Sequence, residues 1–111
     1  MEFDKELVKG STVPLVLKLL HEREMYGYEI VKEVNRRTRG RFEWKEGTLY
    51  PCLHRLEADR LATSRWHDAP NGKKRKYYRL TRKGLAELNR RAAEWREFST
   101  AVDAVLMARG A

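Results

Sequence analysis

Cysteine occurs once in these 111 residues, at Cys52, so no internal disulfide framework can form, and such usage fits a reducing compartment. No uncharged apolar run exceeds the length of Val13 to Leu17, far below the roughly 20 residues a membrane-spanning helix needs. Met1-Glu2-Phe3-Asp4 lacks the basic start and apolar stretch of a secretory signal, which predicts a cytosolic protein with no membrane partner. Paired metal ligands are missing as well. Cys52 and His54 are two apart and diverge on a helix, while His21 and His67 are isolated, so no metal site is expected. Nor is there a Gly-rich phosphate loop, or a recognisable set of nucleophile, base and orienting group. The expectation is a protein without enzymatic activity or cofactor.

What is present in quantity is positive charge. Twenty-four Lys and Arg face 16 Asp and Glu, for a net charge of +8, which fits an anionic partner, either nucleic acid or a membrane surface. The length suits one domain with an adequate core.

Two segments decide between those partners. In Glu46-Gly47-Thr48-Leu49-Tyr50-Pro51-Cys52-Leu53-His54-Arg55-Leu56, the leucines Leu49, Leu53 and Leu56 form one stripe of a helix. Thr48, Tyr50, Pro51, His54 and Arg55 then point away from the core, where they can reach DNA. Gly47-Thr48 reads as the start and cap of this helix, with Pro51 in its first turn. About twenty residues later, Asp68-Ala69-Pro70-Asn71-Gly72 is dense in turn formers between two strand-like runs, Leu61 to His67 and Lys76 to Leu80. Lys73, Lys74, Arg75 and Lys76 thus sit on the tip and returning strand of a hairpin, where a wing meets phosphates or a minor groove. A helix with a polar outer face followed by a basic hairpin predicts a winged helix-turn-helix.

The rest of the chain supplies the scaffold, five helices in all. A short lead-in helix carries Phe3, Leu7 and Val8 up to Gly10, and a second is capped by Ser11 or Thr12 with Pro14 in its first turn. A third begins at Tyr26-Gly27, where Gly27 permits close helix packing, and ends in Arg36-Arg37-Thr38-Arg39-Gly40. Phe42 and Trp44 alternate with charged residues as in a short strand. Tyr77, Tyr78 and Leu80 read as packing residues of the hairpin.

Thr81 can cap the last helix, in which Leu85, Leu88, Ala92, Trp95, Ser99, Val102 and Leu106 follow spacings of 3, 4, 3, 4, 3 and 4, with Phe98 and Val105 widening the seam. Some 27 helical residues span roughly 40 Å at 1.5 Å each, more than the body of so small a domain. The helix must overhang, and its apolar seam predicts a homodimer. The organisation expected is therefore a mainly α protein with a small β-hairpin wing, residues 1–80 forming the DNA-binding domain and 81–111 the dimerisation helix, packed as one compact unit.

The sequence resembles the PadR family of bacterial transcriptional regulators in its short form, with a single C-terminal dimerisation helix. The resemblance is carried by Tyr26-Gly27-Tyr28-Glu29-Ile30, by Glu46 to Glu57, by Lys76-Tyr77-Tyr78-Arg79-Leu80-Thr81 with Gly84, and by Glu94-Trp95-Arg96. Each motif alone is weak; their order and spacing together are specific. The resemblance implies a dimeric repressor on a palindromic double-stranded operator, released by a small molecule such as a phenolic acid or a planar cationic drug. In some small relatives a tryptophan on the last helix and its symmetry mate stack on a flat ligand. Trp95 matches that position, with Phe98, Val16 and the N-terminal helix as walls. The rival reading is a winged helix that serves only protein–protein contact, since the fold does not dictate its use. Such a module needs no basic wing.

Overall fold

The structure is a computed structural model, and it describes residues 3–108. Its element order is α1 (Lys5–Glu22), β1 (Met25–Tyr26), α2 (Gly27–Arg37), α3 (Glu46–Ala58), β2 (Ala62–Asp68), β3 (Lys74–Leu80) and α4 (Arg82–Leu106). A mainly helical chain with one small sheet is what the sequence predicts, but several local expectations are corrected.

The two N-terminal helices are one. Asp4 caps α1 by accepting from the Glu6 N–H at 2.9 Å, and the helix runs unbroken through Gly10 and Pro14. Ser11 and Thr12, expected as caps, instead donate their hydroxyls back to the Val8 carbonyl at 2.8 and 3.3 Å. Pro14 removes one intrahelical bond, yet Val16, Leu17, Leu19 and Leu20 bury so completely that the core holds the helix together across it.

The strand expected at Phe42 and Trp44 is absent, because those residues serve the core from a loop. Asn35 grips the backbone of Trp44 from both sides, its amide donating to the carbonyl at 3.0 Å and its oxygen accepting from the N–H at 2.8 Å. That clamp fixes the connection between α2 and α3. The third strand is Met25–Tyr26, which pairs antiparallel with β3 on the side opposite β2, for the order β1-β3-β2. Two residues of alternation carry too little signal to be seen in a sequence.

The hairpin keeps a clean register from Ala62↔Leu80 to Asp68↔Lys74. Its loop turns at Pro70-Asn71, with the Gly72 N–H on the Ala69 carbonyl at 3.0 Å and Gly72 at φ +82°, a left-handed conformation that suits glycine. Alternation sends Met25, Ala62, Ser64 and Tyr78 to the face packed on the helices, and Tyr26, Thr63, Arg65, Tyr77 and Arg79 to the other.

α4 starts as part of this body. Thr81 caps it, accepting from the Gly84 N–H at 2.9 Å. Thr81 also donates its hydroxyl to the Arg60 carbonyl at 2.7 Å and its N–H to the Leu61 carbonyl at 3.1 Å. Lys83 holds the Asp59 carbonyl at 2.9 Å. Gly84 is required there: a Cβ would lie 2.1 Å from the Leu61 oxygen. Leu88 is buried and Leu85 packs against the core. The first turns of the helix thus pack on the winged-helix body. Beyond them the helix projects, and the longest dimension of the molecule reaches 64 Å.

Candidate nucleic-acid interface

α3 presents its stripe as read from the sequence. Leu49, Leu53 and Leu56 are buried, and Thr48, Pro51, His54 and Arg55 are exposed on the outer side. The helix begins two residues earlier than expected, with Lys45 in the capping position and no side-chain cap, so Thr48 lies inside the helix and Pro51 beyond its first turn. Tyr50 plays a different part. Its hydroxyl and ring edge lie over Gly27, where a Cβ would come within 2.9 Å of the oxygen. Burial, with help from the Glu46 and Tyr78 charges, raises the phenol's pKa. Tyr50 therefore fixes the crossing of α3 on α2, and only its outer edge remains available to a ligand. Cys52 is half-buried, and burial likewise raises its thiol.

The four basic residues of the wing divide into two pairs. Lys73 and Lys74 are exposed and, among the described residues, form no ion pair. Arg75 instead lies 4.6 Å above the Tyr26 ring, and Lys76 turns inward to Glu57 at 3.2 Å on the last turns of α3. Glu57 also accepts from the Ser64 hydroxyl, and this bond, followed by Lys76 and opposed by burial, holds its carboxyl below the usual range. The four wing cations are thus not in equivalent surroundings: Lys76 ties the wing to α3, and Arg75 is engaged on an aromatic face. Strand alternation separates Arg75, on the face of Tyr26, from Lys74 and Lys76, on the face of buried Tyr78, but it does not separate free Lys74 from tethered Lys76.

Two features of the surface lie outside the sequence-based expectations. Trp66 is 63% exposed near the end of β2, paired with Lys76. Gly47, exposed in the first turn of α3, has open space where a side chain would be. Alternation puts Trp66 on the face of Ala62 and Ser64 and would predict it packed, so its exposure is not legible there, whereas the helical wheel of α3 holds the signal for Gly47.

Several other cations are held by acidic neighbours, among them Arg23, Arg36, Arg37, Arg65, Arg90 and Arg91. Glu22 and Glu33 bind Arg36 and Arg37 at the end of α2, and those hydrogen bonds pull Glu33 down to about 2. Glu24 holds Arg65 through two bonds of 2.8 Å on the outer face of the sheet.

The projecting part of α4 carries the rest of the predicted seam. Ala92 is exposed, Ser99 is half-buried, and Trp95, Phe98, Val102 and Leu106 are all exposed, with the Trp95 and Phe98 ring centroids 6.1 Å apart. Leu85 and Leu88 instead face their own core, which removes them from the free surface of the seam. Val16 is fully buried in the same core and offers no wall to a ligand. Among the described residues no cluster of His, Cys, Asp and Glu could hold a metal ion, and no helix is long and apolar enough to cross a membrane.

Comparison with known proteins agrees with this geometry. Over 83 residues the chain is 40% identical to the transcriptional regulator Rv3488 of Mycobacterium tuberculosis, covering 70% of this chain and 74% of the relative. Among solved structures it is similar to a transcriptional regulator from Clostridium thermocellum, with a TM-score of 0.85 at 28% identity, covering 93% of this chain and 97% of the other. A PadR family transcriptional regulator from Eggerthella lenta gives a TM-score of 0.82 at 36% identity, covering 94% and 88%. The sequence model of the PadR-like family of transcriptional regulators matches residues 16–90, which contain α2, α3, the wing and the joint with α4. With the outer face of α3 and the wing on one body, and a family match across most of the chain, this protein belongs to the PadR-like transcriptional regulators, which are non-enzymatic DNA-binding proteins.

Proposed function

We propose that the chain works as a homodimeric repressor that reads a palindromic operator with α3, grips phosphates with Lys73 and Lys74, and releases DNA when a planar aromatic molecule occupies the seam at Trp95 and Phe98. The observation that carries this reading is the division of labour on one surface: an exposed outer face of α3 next to two wing lysines with no acidic partner among the described residues. Thr48, His54 and Arg55 supply polar contacts to base edges or phosphates, with Pro51 between them, while the lysines add sequence-independent affinity. The dimer is supported by the bare half of α4, whose Trp95, Phe98, Val105 and Leu106 would otherwise stand in water. Two-fold pairing of such helices sets two recognition helices against successive major grooves, about 34 Å apart. A module for protein–protein contact alone would have no use for the unpaired wing lysines.

Selection of duplexes from a random pool tests the reading, with binding then measured across a range of salt. The expected result is an inverted-repeat sequence, and Lys73→Ala with Lys74→Ala should flatten the salt dependence by roughly 0.9 for each phosphate that the variant no longer neutralises. Lys76→Ala should change that slope less, because Lys76 is held by Glu57. A pool that yields no preferred sequence would overturn operator recognition. Titration with a planar aromatic compound such as ethidium tests the effector: tryptophan emission should fall and operator affinity with it, and Trp95→Ala should remove the quenching.

A further inference from the structure

Opposite the buried stripe of α3 runs an outermost line, Gly47, Pro51, His54 and Ala58, spaced 4, 3 and 4 residues apart and exposed at every position. The longer side chains of Thr48 and Arg55 lie on one flank and Tyr50 on the other. At its N-terminal end this ridge is low, with bare backbone at Gly47 and the compact Pro51 ring one turn on. Gly47 is not required by conformation, since it sits in the helix with no positive φ, and no neighbouring atom within 4 Å of its Cβ position forbids a side chain. An exposed glycine inside a helix is less stable there than alanine. One turn on, Pro51 has no N–H, so the Gly47 carbonyl loses its normal helical donor.

We infer that the Gly47 carbonyl, bared by Pro51 and unshielded by any Cβ, is a base-reading acceptor that takes a hydrogen bond from the exocyclic amino group of a cytosine or adenine in the major groove. The inference rests on the reading of α3 as the recognition helix, and it adds a specificity contact made by backbone. Among base edges in that groove only the cytosine N4 and adenine N6 amino groups donate, so a carbonyl placed there distinguishes them from guanine and thymine. The contact is neutral and releases no counterion, which separates it from the lysines of the wing.

The chain contains its own control. Gly10 and Pro14 repeat the same glycine-to-proline spacing in α1, again with open space at the glycine, away from the outer face of α3. If glycine is present at both sites only to relax the backbone ahead of proline, the two should respond alike to substitution.

The test compares the wild type, Gly47→Ala, Pro51→Ala and Gly10→Ala on duplexes selected by the wild type from a random pool, together with thermal melts. Gly47→Ala should lower affinity for the selected duplex at least tenfold with an unchanged salt slope and a melting temperature no lower than the wild type. Pro51→Ala restores an N–H to the Gly47 carbonyl. It should raise the melting temperature and erase preference at one C·G or A·T pair in each half-site. Gly10→Ala should bind as the wild type does. If the wild type enriches a sequence and both α3 variants bind it with unchanged affinity and preference, the carbonyl contact is wrong and the recognition helix stands. If Gly47→Ala loses affinity only in step with a lowered melting temperature, the glycine serves the fold and the contact is again wrong. If the wild type enriches nothing, the recognition helix itself is wrong and this inference falls with it.

Discussion

The two halves of α4 share one heptad pattern and live in different surroundings. From Thr81 to Leu88 the helix is locked to the body by a cap, by hydrogen bonds to the Asp59, Arg60 and Leu61 carbonyls and by buried leucine, whereas from Ala92 onward its large apolar residues, Trp95, Phe98, Val102, Val105 and Leu106, are all exposed. A periodic apolar seam records that a face is covered without recording by what. Here one pattern spans an internal core at one end and, in the proposed dimer, an intermolecular one at the other.

The comparison is broken most severely from the locked half. Gly84→Val must push a side chain into the Leu61 carbonyl, which is backbone and cannot swing away, and should cost about 3 kcal/mol or more. Leu88→Ala should cost about 2 to 5 kcal/mol by opening a cavity. Urea unfolding checks both, and stability unchanged by either would mean that α4 is not anchored as described. In the bare half, Trp95→Ser with Phe98→Ser should instead halve the mass seen by sedimentation at concentrations where the wild type is a dimer, leaving the far-ultraviolet circular dichroism of the body intact. Loss of helical signal in that variant would place Trp95 and Phe98 with the core.

The smallest effect belongs at the boundary between the halves. Glu87 accepts from Arg90 and Arg91, and these bonds draw its carboxyl from the ordinary 4.5 down to about 2. A folded-state value below the unfolded one stabilises the fold above about pH 4.5, and this contribution disappears as the pH falls toward 2. The site is partly open to solvent, so Glu87→Gln should change stability by no more than about 1 kcal/mol at pH 7 and by only a small fraction of that at pH 2, where the folded carboxyl is about half protonated. Unfolding at the two pH values measures that difference.

Much of the fold is legible in the sequence because it rests on repeated signals: the leucines of α3, the turn residues of the wing and the heptad of α4. What the sequence misstates depends on single residues whose role is set by distant packing. Pro14 and Gly10 look like a break between helices, and only the burial of Val16, Leu17 and Leu20 overrides them. Thr48 looks like a cap, but α3 starts before it at Glu46. At the candidate site, the outward face of α3 is readable from periodicity, while the pairing of Lys76 with Glu57 is not, because it joins residues from different elements. Gly47 escapes any search for functional side chains because it has none.

The grip of α4 on the Asp59, Arg60 and Leu61 carbonyls bears on more than stability. These residues form the turn that ends α3, so the last turn of α3 and the first turn of α4 are one mechanical joint. From Leu88 to Trp95 the helix extends about 10 Å at 1.5 Å per residue, a stiff arm on that joint. A tilt imposed near Trp95 therefore swings α3 as a lever swings its load, with no hinge between them to absorb the motion. In a dimer built on the seam, a substitution there would act as a change of gauge, altering how far apart two half-sites must lie before it alters how tightly either is held.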